Sequence, residues 1–154
     1  MTALSDLRYR PEWVRPLDWL PLPDIQPPTE GIAALVAVSE DGYGNLVSLK
    51  MTISDSATWT VDWGDGSTPE VIASGGTATH DYDWADVGDV TSEGWRQAVL
   101  TVYPATGKTF ATINLAAPVA AGVRNTGWTS PLRSVLVVAD VVTALTFNDN
   151  LTRA

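Results

Sequence analysis

A chain of 154 residues, 45% apolar and 18% charged, is long enough to bury one sizeable core and too apolar to be disordered. Its formal net charge of −9, with Lys50 and Lys108 as the only lysines, argues against a nucleic-acid partner, since phosphate backbones select basic stripes. With no cysteine, a disulfide framework, thiolate metal sites and cysteine nucleophiles are excluded.

The first residues, MTALSDLRYRPEW, show no apolar run after a basic start, so no secretory signal is expected and synthesis in the cytoplasm is. The most apolar early run, residues 32 to 38, is far too short to span a bilayer, and no membrane contact is expected.

Residues 1–30 hold Pro11, Pro16, Pro21, Pro23, Pro27 and Pro28, which exclude a long helix or a central strand. Interleaved with them are Trp13, Leu17, Trp19, Leu20, Leu22 and Ile25. A solvated linker has no use for two tryptophans. Burying both, at roughly 150–250 Å² each and about 25 cal/mol/Å², gives on the order of 7–12 kcal/mol before ordering costs. A stiff apolar arm is therefore expected to lie along a surface, either that of its own sandwich or that of a neighbouring subunit. The neighbour is the preferred reading.

Gly31 opens a second unit, residues 31–116. Residues 32 to 39 read as a buried strand, with turn residues at Asp41, Gly42, Gly44 and Asn45. From Leu46 to Ile53 the sequence alternates, which places Val47, Leu49, Met51 and Ile53 on the core face. Trp59, Val61 and Trp63 alternate in the same way, and that strand runs into Gly64-Asp65-Gly66, a reversal signal. A returning strand is expected at residues 69 to 73. His80 and Tyr82, two apart on the next extended segment, share a face. Residues 95 to 103 and 108 to 115 are expected to form a hairpin around Pro104-Ala105-Thr106-Gly107. Turn signals at this spacing suit a β-sandwich.

Residues 117–154 read as a small-residue connector with a lone Trp128, then two short apolar runs. Phe147-Asn148-Asp149-Asn150-Leu151 is similar to one turn of a leucine-rich or β-solenoid repeat, which cannot bury its own face alone. This tail is expected to pair with the sandwich or with another subunit, or to continue into a larger repeat.

Trp63-Gly64-Asp65-Gly66, then His80-Asp81-Tyr82, then Ala98-Val99-Leu100-Thr101-Val102 and Gly107, resemble in order the motifs of the PKD (polycystic kidney disease repeat) domain over roughly residues 31 to 116. The resemblance implies an all-β, immunoglobulin-like sandwich. The link formed by residues 83 to 94 is longer and more acidic than the family's. The arm from Arg10 to Ile25, combined with the W-G-D-G sandwich, also resembles tail and other virion-surface structural proteins of bacteriophages. That resemblance implies a non-enzymatic virion structural or adaptor protein of tail, baseplate or particle surface, bound to other virion proteins and to copies of itself.

Other chemistries find little support. Asp62, Asp65, Asp81, Asp83, Asp86 and Asp89 form the one metal-like set, but they lack EF-hand spacing, and Asp65 suits its own turn better. His80 is the sole histidine and has no nucleophile motif nearby, so no catalysis and no cofactor are expected. Trp84, Trp95 and Trp128 lie off the core stripe and are candidates for a surface that meets a protein or, as the alternative, a host-surface glycan.

Overall fold

The structure, a computed structural model, describes residues 14–42, 44–88, 90–116 and 131–146. Its strands are β1 (Gly31–Val38), β2 (Leu46–Ile53), β3 (Trp59–Asp62), β4 (Glu70–Ile72), β5 (Thr77–Asp81), β6 (Arg96–Pro104), β7 (Phe110–Asn114), β8 (Leu132–Val138) and β9 (Ala144–Thr146). They form a five-stranded sheet, β4-β3-β6-β1-β8, and a four-stranded sheet, β5-β2-β7-β9. Apart from two single-turn 3₁₀ segments at Ser54–Ser56 and Trp84–Asp86, the described residues contain no helix. The chain is all-β, with two sheets enclosing one core.

That core follows from the alternation. Val47, Leu49, Met51 and Ile53 of β2 meet Trp59, Val61 and Trp63, all buried, together with Ile32, Ala34, Val36 and Val38 of β1. A period of two puts every second side chain on one face, so residues of this pattern share a core only as strands.

Two expectations are corrected. The turn around Gly107 forms, with Lys108 N–H donating to the Ala105 carbonyl at 2.9 Å, but β6 and β7 are not a hairpin. β6 pairs with β1 and β3, whereas β7 crosses to the other sheet and pairs with β2, Met51 opposite Ile113. The sandwich, expected to end at residue 116, also takes in the described strands of the tail, so that of the partners expected for the tail it is the sandwich that these strands meet. β8 lies antiparallel to β1 at the edge of the first sheet, and β9 lies parallel to β7 at the edge of the second.

In the seven-stranded immunoglobulin order, the first strand lies beside the second and the last beside the sixth. Here the pairs β2–β5 and β3–β6 keep that order, while β1 stands beside β6 and β7 beside β2. A buried carboxylate fixes the exchange. Glu30, 7% exposed, accepts from Phe110 N–H at 2.7 Å through Oε2 and from Asp140 N–H at 2.9 Å through Oε1. It ties the entry to β1 to the start of β7 and to the β8–β9 connection.

β1 is buried on both faces: Ala33 and Leu35, which point away from the core, are 0% exposed. The arm is anchored on that side at both ends. Gln97 of β6, opposite Ala37 of β1, takes Leu20 N–H on its Oε1 at 2.8 Å and donates from Nε2 to the Asp18 carbonyl at 2.7 Å. Five residues further on, Ile25 is buried against Gly31 and near Tyr103, at the other end of the β1–β6 pair. At about 3.3 Å per residue, the five steps from Leu20 to Ile25 and the six from Gln97 to Tyr103 span nearly the same length. The arm is thus a strap running along β1 in the opposite sense.

Candidate functional site

The W-G-D-G and H-D-Y segments come together at one end of the sandwich and join the two sheets. Trp63 follows β3 in one sheet, and His80 belongs to β5 in the other. The His80 ring stacks on the Trp63 indole with centroids 4.8 Å apart and planes 12° apart, and the Tyr82 ring stands edge-on to both. Gly64 has φ +75°, and a Cβ there would run into the Val99 carbonyl of β6, so the first motif glycine answers both a left-handed backbone and a close approach.

The polar atoms of this knot satisfy one another. Asp65 Oδ1 accepts from Ser67 N–H at 3.0 Å and from the Ser67 hydroxyl at 2.5 Å, while Oδ2 lies 2.6 Å from His80 Nε2. Trp63 Nε1 donates to Glu70 Oε1 at 2.7 Å, and Tyr82 Oη donates to the Trp63 carbonyl at 2.7 Å. Burial would raise the Asp65 carboxyl, but the Ser67 hydroxyl, the Ser67 amide and His80 together hold it below the ordinary range. Burial, reinforced by the charges of Asp65 and Asp62, drives the Tyr82 phenol far upward, so it stays protonated as the donor this bond requires.

The acidic set does not gather. Asp62 Oδ1 accepts from Gly64 N–H at 2.9 Å and Asp83 Oδ1 from Ala85 N–H at 2.9 Å, so each turns on its own local backbone. Among the described residues no three His, Cys, Asp or Glu side chains are placed to hold a metal ion; Asp89 lies outside the described residues.

Beside the knot, the β1–β2 loop and the residues after β5 enclose an open cavity of about 350 Å³, lined in part by Glu40, Asp41, Asp81, Asp83 and Trp84. Buried Asn45 closes its base, donating to the Ser39 and Tyr82 carbonyls and accepting from Ser39 N–H. The Arg96 guanidinium lies 4.5 Å over the Trp84 ring and also donates to the Trp84 carbonyl at 2.8 Å. Trp84 is therefore half-buried, with one face taken by a cation.

Trp95 packs edge-on against Trp19 of the arm, centroids 5.6 Å apart, and its Nε1 donates to Glu93. Of the arm residues, Ile25 is buried, Trp19, Leu20 and Leu22 are half-buried, and Leu17 is wholly exposed, as is most of Val14. The described part of the arm thus lies on its own sandwich, the less favoured of the two surfaces expected from the sequence. Trp13 and Trp128 lie outside the described residues, as do residues 147–151 with their repeat-like turn.

Gln97 and Glu30 organise the arm and the crossover, yet neither stands out in the sequence. A single glutamine in a strand reads as solvent-facing, and the only signal for Gln97 is its place between Trp95 and the apolar run that follows. No family model, no curated protein and no solved structure matches this chain.

Proposed function

We propose that this chain is a non-enzymatic structural or adaptor protein that works by contact with other protein subunits, and that its resemblance to bacteriophage tail and virion-surface proteins names the kind of particle it belongs to. The observation that carries the reading is the tip of the arm. Leu17 is 102% exposed and Val14 74% exposed, next to the half-buried Trp19–Trp95 pair. Apolar groups held in the open on a proline-stiffened segment lose little further freedom when covered, which suits docking on another subunit.

The knot supports the same reading from the other side. Asp65, His80 and Tyr82, the side chains with the most chemical potential, are engaged in holding the two sheets together. The PKD-like reading of residues 31–116 rests on the order of these motifs; the virion setting rests on the resemblance of the arm.

The test is density-gradient separation of a native lysate with the chain followed by mass spectrometry. Co-migration with a very large particle is the expected result. Migration as a free species of monomer size contradicts the reading and turns attention to a glycan panel, with Trp84 and the adjoining cavity as the first region to mutate.

A further inference from the structure

The strap over β1 has an unusual attachment. It is anchored at both ends of the β1–β6 pair on the face that carries the buried Ala33 and Leu35, yet among the described residues no backbone hydrogen bond joins it to a strand. What holds it is Gln97 bracketing Asp18 and Leu20, Ser92 N–H on Asp18 Oδ2 at 2.6 Å, the Trp19–Trp95 contact and the burial of Ile25. In the chain, the strap continues into β1 through residues 26 to 30, which are reversed by a backbone bond from Thr29 N–H to the Gln26 carbonyl at 3.0 Å.

We propose that the trough along β1 and β6 is a docking site for the arm of a second copy of this chain, so that copies link by exchanging arms. The proposal deepens the assembly reading above and rests on it. The trough recognises an extended apolar segment through a side-chain amide and an apolar floor, and that chemistry is indifferent to which copy supplies the segment. Contacts in the exchanged form repeat those of the closed form, so the hinge and the local concentration of copies decide between them. Glu30 is the base about which the arm swings. Bonded to Phe110 and Asp140, it keeps the entry to β1 in place when residues 26 to 29 straighten. The exposed Val14 and Leu17 are apolar groups that the closed form leaves uncovered.

The full chain lacking residues 26 to 29 tests this, since its arm cannot turn back on its own sheet. Light scattering is expected to show a dimer or larger species whose dissociation constant rises about tenfold when Gln97→Ala is added. A monomer that retains the tryptophan fluorescence of the folded chain overturns the proposal.

A second measurement does not depend on that deletion. Isotopically heavy and light copies of the full chain, each with a photoreactive side chain in place of Leu22, are mixed, concentrated and irradiated. Cross-links from residue 22 of one isotope to β1 or β6 of the other are expected; cross-links confined to single copies overturn exchange. The two readings fail separately. Cross-links within single copies, together with a particle in the lysate gradient, sink exchange and leave assembly standing. Exchange in pure solution with no particle does the reverse.

Discussion

The knot at the end of the sandwich and the strap along its side both carry buried aromatic and polar side chains, but they are held in opposite ways. In the knot, Trp63, His80 and Tyr82 are packed ring on ring, their side chains bond to Glu70, Asp65 and the Trp63 carbonyl close by, and the two segments they come from belong to different sheets. In the strap, a single side chain, Gln97, provides two of the contacts, and the segment sits outside both ladders. Aromatic and polar residues in a motif need not mark a working surface when their hydrogen bonds are made to one another and to their near neighbours. The strap, by contrast, is a partly buried segment whose backbone belongs to no sheet.

The largest effect separates the two regions outright. Trp63→Ala removes a fully buried ring, its stacking on His80 and its bond to Glu70, and is expected to cost about 3–5 kcal/mol in urea unfolding. A loss under about 1 kcal/mol would mean that the knot is dispensable.

Tyr82→Phe keeps the ring and deletes one donor, leaving the buried Trp63 carbonyl unanswered. About 1–3 kcal/mol is expected by the same measurement.

Acid offers a third probe. The Asp65 carboxyl is held below its ordinary value in the fold, so its contribution is complete above that value and is lost as pH falls through the folded one. The urea midpoint of the native chain is expected to fall between about pH 5 and about pH 2 more steeply than that of Asp65→Asn, and parallel profiles would show that the ionised Asp65 carboxylate, with its Ser67 and His80 partners, adds nothing.

The smallest effect on folding belongs to the arm. Leu17→Asp touches a wholly exposed side chain and is expected to leave stability within about 0.5 kcal/mol while removing the chain from the large particle in a lysate gradient.

What was legible in the sequence was what local pattern dictates. Alternation at β2 and from Trp59 to Trp63 assigned the core face, and the glycines of the W-G-D-G stretch marked a reversal that the structure contains. Pairing was legible only where neighbours in sequence are neighbours in space. The turn at Gly107 was readable, but the sheet that β7 joins depends on β2, some sixty residues earlier, and on the clasp at Glu30. Likewise β8 reads as an apolar run whose partner, β1, lies about a hundred residues away. Two faces of burial on β1 left only small and branched apolar residues in the sequence, a pattern that says buried without saying by what. That the cover is the proline-rich arm turns on Gln97, and one polar residue on a strand carries no such message.

The most direct measurement is native-state hydrogen exchange on the full chain, comparing the Leu20 amide, held by Gln97, with the Tyr82 amide, held by the Asn45 carbonyl. A separable strap predicts that Leu20 exchanges through a local opening insensitive to denaturant, while Tyr82 exchanges only with global unfolding. Exchange of both amides with the same denaturant dependence and the same free energy would contradict this account and make the strap as much a part of the sandwich as the knot.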